Sequence, residues 1–135
     1  MFSFFKKPLL KEILIISIVI AVLHYLALIY FLYWNIWWFD IPMHFIGGLL
    51  IGLISIFLFY TSKYMDFPKD HIGSIFAMTL GSVLLVGLVW ELWELFVGFT
   101  DVVKDGGDTF IDLVMDTLGG ITAFIYGKKF VWMEK

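Results

Sequence analysis

The sequence predicts an all-α fold, an integral membrane bundle of four transmembrane helices, and three observations carry that prediction. Hydrophobic residues make up 61% of the 135 positions and charged residues only 16%, with a mean hydropathy of +0.96, far more apolar than a water-soluble chain of this length needs for its core. The apolar residues fall into four runs, each near the ~20 residues with which an α-helix crosses a ~30 Å hydrocarbon core. All nine basic residues are lysines and lie outside those runs. Residues 1–135 therefore read as one four-helix transmembrane domain.

The head, Met1 to Lys11, carries Lys6, Lys7 and Pro8 and leads into a first span over about residues 13–33. That apolar run is longer than a signal-peptide core and no small-residue cleavage site follows it, so it reads as a retained span. Trp34, Trp37 and Trp38 follow as an interfacial aromatic belt. The second span covers about residues 41–61, and a polar connection with Lys63, Asp66, Pro68, Lys69 and Asp70 follows. The third covers about 72–99, with Trp90 and Trp93 as its belt, and Thr100 to Gly107 reads as a loop. The fourth covers about 108–127, ending before Lys128 and Lys129.

Composition also excludes. With no cysteine there is no disulfide, thiolate metal site or cysteine nucleophile. A net charge of -3 without arginine gives no reason to expect a nucleic-acid partner. The head, second connection and tail hold all lysines but Lys104, so the positive-inside rule puts both termini in the cytoplasm. The start of the second span, the end of the third and the start of the fourth then share the outer face.

Those three ends hold Asp40 and His44, Glu91 and Glu94, and Asp108, Asp112 and Asp116. A charged acidic side chain within a span costs roughly 2.5–3.5 kcal/mol on insertion scales, so these residues ask for a partner or a task. Asp108, Asp112 and Asp116 are four apart; on a helix they drift by only about 80° while descending ~12 Å, forming one acidic stripe. Asp40 and His44 share a face, as do Glu91 and Glu94. Like charges so placed repel unless protonated, hydrogen-bonded or bridged by a cation. Oxygen ligands with one imidazole suit a divalent metal such as zinc, magnesium or manganese.

The second and fourth spans also share a pattern. Asp40-x3-His44-x2-Gly47-Gly48 matches Asp112-x3-Asp116-x2-Gly119-Gly120 in spacing, which hints at a two-helix unit used twice. Gly48-x3-Gly52 and Gly119-x3-Ala123 permit close helix approach in lipid, within one bundle or in a homodimer. Plainer readings stand beside these. Asp40 and Asp108 suit helix N-caps, Pro42 suits a first helical turn, Glu91 and Glu94 could snorkel beside their tryptophans, and His24 reads as a hydrogen-bonding or packing histidine.

The order Asp40-Ile-Pro-Met-His44-Phe45-x-Gly47-Gly48, then Glu91-x2-Glu94, then Asp108-x3-Asp112-x3-Asp116-x2-Gly119 resembles the VanZ-like membrane proteins and, more closely, the YjdF-like inner-membrane proteins. The chain departs from the VanZ-like pattern at Ile41, Glu94 and Asp116 and in having no arginine. The resemblance implies a small helical protein of the cell envelope, linked in the VanZ case to glycopeptide resistance, and leaves the reaction open.

The leading functional expectation is a metal-dependent membrane hydrolase or transferase. Asp40, His44, Glu91, Glu94, Asp108, Asp112 and Asp116 would hold a divalent metal, Glu94 or Glu91 would act as the catalytic base, and the substrate would be lipid-linked. The alternatives are proton, cation or ligand binding without covalent chemistry, as in transport or sensing, and a structural envelope protein.

Overall fold

The structure is a computed structural model describing residues 9–61, 71–98 and 102–133. Among the described residues five α-helices occur in order: α1 (Leu10–Ile29), α2 (Leu32–Asn35), α3 (Asp40–Ile56), α4 (Ile72–Val97) and α5 (Val102–Met133). Four stretches, Leu10–Ile29, Asp40–Tyr60, Ile72–Val97 and Gly107–Val131, are long and apolar enough to cross a membrane. The head through residue 8 and the connection over residues 62–70 lie outside the described residues.

Two boundaries differ from expectation. The first span does not run to Tyr33. α1 closes at Ile29, and Phe31 takes left-handed backbone angles (φ 55°), costly for a residue with a side chain, before the single turn of α2. Aromatic packing holds the corner: Phe31 lies 5.9 Å from Trp34 between ring centroids, and Tyr33 meets Phe39 edge-on at 5.3 Å. The second difference is at α5, which is already helical at Val102, within the stretch read as a loop, and which runs on past residue 127 to Met133. At ~1.5 Å per residue its 32 residues measure ~48 Å, more than the ~30 Å hydrocarbon core. The outermost turns are polar helix, invisible to hydropathy, and a glycine costs a helix only ~1 kcal/mol, so Gly106 and Gly107 do not stop it.

Local chemistry explains the other ends. Pro42 occupies the first turn of α3, where its missing N–H costs no intrahelical bond. The helix widens into a π-helical turn over Phe57–Thr61. α4 starts after the extended His71, whose carbonyl accepts from Ser74 Oγ at 2.7 Å. It stops at Gly98, whose φ of 78° is the left-handed C-cap conformation that glycine adopts freely.

Helices α3 and α5 form the tightest pair, and they run parallel. A Cβ on Gly48 would run into the Asp116 carbonyl, one on Gly119 into the Phe45 carbonyl, and one on Gly52 would stand 2.5 Å from Ala123 Cβ. The two spaced motifs therefore meet side by side, with their glycines at the crossing. α4 runs antiparallel to both, burying Ile75, Thr79, Val83, Gly87 and Glu91, a line with one residue every fourth position. Ser55 Oγ ties α3 to α4 by donating to Ser82 Oγ at 3.1 Å. The apolar core, around Leu53, Ile56, Phe57, Ile75 and Phe124, fills the half of the bundle away from the motifs. Large apolar side chains such as Ile18, Leu85 and Leu92 point outward, as lipid contact requires.

Candidate metal centre

His44 sits in the second turn of α3, on the face turned to α5, and is 7% exposed. Close approach at Gly48 and Gly119 brings Asp112 and Asp116 of α5 against it. His44 Nδ1 is 3.4 Å from both Asp116 carboxylate oxygens. An ionised carboxylate can only accept, so the contact suits a protonated Nδ1. The opposite nitrogen, Nε2, faces Asp40 Oδ2 at 3.7 Å and Asp112 Oδ2 at 3.9 Å.

Those last two distances exceed hydrogen-bond range. They are shorter than ~4.2 Å, the sum of one metal–nitrogen and one metal–oxygen bond for zinc. One ligand atom each from Asp40, His44 and Asp112 lies within 4.8 Å of the others, so at bond lengths of ~2.0–2.2 Å the carboxylates draw slightly closer to share one ion. The Asp116 contact also matches the way metal-binding histidines are held, with the non-ligating N–H donated to a carboxylate that fixes ring orientation.

A second observation points the same way. Glu91, 4% exposed, has both carboxylate oxygens buried without a hydrogen-bond partner among the described residues, as has Oδ1 of Asp112. Glu91 lies close enough to His44, Asp116 and Asp40 to feel their charges, and Thr109 of α5 stands near enough to offset part of its burial cost, although not in hydrogen-bond geometry. Buried charged oxygens left unpaired are costly, and a cation beside them removes that cost.

The remaining expected ligands are placed differently. Glu94 is half-buried and accepts a hydrogen bond from Trp90 Nε1 at 2.9 Å, at the rim. Asp108 is exposed, one turn further out along α5 than Asp112. It lies well inside α5 and does not begin it, so the N-cap reading of Asp108 is set aside. Asp40 makes no side-chain cap on α3; its carboxylate turns to His44 instead.

Two contributors were not expected. Gly87 leaves room for the Asp116 carboxylate, since a Cβ there would stand 2.6 Å from Oδ2. Its place on the every-fourth line of α4 ending at Glu91 was the available signal. Tyr33 of α2 shares a hydrogen bond of 2.9 Å with His24 Nδ1, the partner that His24 needed. Burial, with Asp40 and Glu94 nearby, pushes the Tyr33 phenol up to about 12, so it stays protonated.

A family profile described as "Predicted membrane protein (DUF2238)" matches residues 1–132. No curated protein and no solved structure matches the chain. The description reaches a family of membrane proteins and goes no further towards the VanZ-like or YjdF-like proteins. With four candidate spans and a buried His/Asp cluster, the chain belongs to the DUF2238 family of predicted membrane proteins and is a multi-pass membrane protein.

Proposed function

We propose that the protein binds one divalent cation through Asp40, His44 and Asp112 and uses it for hydrolysis or group transfer on a lipid-linked substrate of the cell envelope. The observation that carries this reading is the His44 geometry: one ring nitrogen held by Asp116, the other aimed between two carboxylates. Mixed imidazole and carboxylate ligands suit zinc or manganese, and the carboxylates also suit magnesium. Three protein ligands leave coordination positions for water and substrate. The cation would polarise a phosphoryl or carbonyl oxygen. Glu91, buried and unpaired beside the cluster, fits a general base better than Glu94, which is engaged by Trp90. The order of motifs shared with the VanZ-like and YjdF-like proteins supports an envelope role. The lysine distribution supports cytoplasmic termini, which puts the centre at the outer leaflet.

A continuous proton or ion path is disfavoured because the half of the bundle beyond the cluster is packed with aliphatic and aromatic side chains. Turnover tests the enzymatic reading. Purified protein loaded with manganese or zinc is mixed with long-chain phosphates and diphosphates, and released phosphate is measured. Release that needs metal and falls at least 100-fold in Glu91→Gln supports the reading. Metal bound without release from any substrate of this class removes the catalytic part.

A further inference from the structure

A cavity of about 370 Å³ opens beside the cluster, between α1, α3 and α4, within the ~300–1,000 Å³ typical of ligand sites. Its titratable groups gather at one end: Asp40, His44, Asp116 and the His24–Tyr33 pair. Its walls below are apolar apart from the Ser17 hydroxyl, with Ile20 and Ala21 of α1, Ile51 of α3, and Val83 and Val86 of α4. Along α3 the lining runs from Asp40 to Ile51, about 16 Å at 1.5 Å per residue. That is close to half of a ~30 Å hydrocarbon core, the depth of one leaflet. Two of the three candidate metal ligands, Asp40 and His44, also wall this cavity.

A polar mouth over an apolar shaft one leaflet deep is the shape of an amphiphile. The mouth narrows the headgroup. Histidines are the only basic side chains among the lining residues, so an anionic head would find its counter-charge in the cation. Divalent ions held by few protein carboxylates commonly complete their coordination with substrate phosphate. We infer that the cavity holds the hydrocarbon chain of a single-chain lipid phosphate, with the phosphate at the cation held by Asp40, His44 and Asp112. This inference rests on the proposed metal centre and names the substrate that it serves.

Equilibrium binding of radiolabelled hexadecyl phosphate to the detergent-purified, manganese-loaded protein tests it. Hexadecanol lacks the head, inorganic phosphate lacks the chain, and farnesyl phosphate separates branched from straight chains. Metal content is measured on every sample. Ala21→Trp and Ser17→Phe, both on the α1 wall, narrow the shaft without touching a metal ligand. The expected result is hexadecyl or farnesyl phosphate binding at least tenfold tighter than either control, weakened at least tenfold in both variants while manganese stoichiometry is unchanged. Manganese bound with no preference for a chain-bearing phosphate, or with equal binding in both variants, overturns the inference and leaves the metal centre standing. Absence of manganese from the parent protein removes both, and chain-phosphate binding that persists without metal overturns the arrangement proposed for the head.

Discussion

His44 and Asp116 face each other across the α3–α5 crossing, with Nδ1 3.4 Å from both carboxylate oxygens. The contact turns Nε2 towards Asp40 and Asp112 and gives the two carboxylate-bearing helices a shared purpose. In the proposed centre Asp116 positions the ring and is not one of the three ligands. Asp116→Asn is therefore expected to weaken metal binding by about 10–100-fold, the usual effect of losing such a partner. Competition titration with a chromogenic chelator reads it. Asp112→Asn, which removes a ligand, should weaken binding more; equal affinity in Asp116→Asn and the parent would show that the contact does not orient His44.

Glu91 carries the opposite trade. Its carboxylate is buried and unpaired among the described residues, so in metal-free protein Glu91→Met, which removes both buried oxygens, should raise stability by about 1–3 kcal/mol, the cost of an unsatisfied buried group. Unfolding in mixed micelles after chelation measures this. The same substitution should lower stability or affinity once metal is present, and stabilisation of equal size in both conditions would mean that Glu91 has no link to the ion.

Glycines at the crossing are not interchangeable with glycines elsewhere. Gly48→Ala would drive a methyl into the Asp116 backbone, whereas nothing lies within 4 Å of a Cβ built at Gly81. Gly48→Ala should destabilise by about 1–3 kcal/mol through overpacking, and Gly81→Ala should stabilise by up to ~1 kcal/mol through helix propensity. Micelle unfolding of the pair checks both signs. Metal affinity should fall only in Gly48→Ala.

Tyr33 supplies a pH signature. Its phenol is raised from 10.0 to about 12 by burial first and by Asp40 and Glu94 second. The folded state holds this proton more tightly than the unfolded state. The contribution is therefore intact below pH 10 and is lost as pH rises from about 10 towards 12. Tyr33→Phe should flatten that part of the stability curve and remove one late-ionising phenol from the ultraviolet titration. An unchanged titration would place Tyr33 in water.

The four spans were legible because lipid forces long apolar runs, and that signal survives any packing detail. His44, Asp40, Asp112 and Asp116 were legible because spacing by four puts them on shared faces at one end of the bundle. The break at Phe31 was not, since left-handed backbone at a phenylalanine depends on ring contacts made only in the folded corner. Nor was the early start of α5, because polar helix that projects past the hydrocarbon has the composition of a loop. Gly87 escaped notice because a glycine in an apolar run reads as packing until the carboxylate that it accommodates is in view.

Metal content of the detergent-purified protein, by elemental mass spectrometry, tests most directly whether Asp40, His44 and Asp112 hold an ion. Parent protein and an Asp40→Asn/Asp112→Asn variant are each incubated with zinc, manganese or magnesium and then dialysed. The expected result is about one divalent ion per parent chain and its loss in the variant with the fold retained by circular dichroism. A parent that holds no ion under any of these conditions, or a variant that holds as much as the parent, would contradict it.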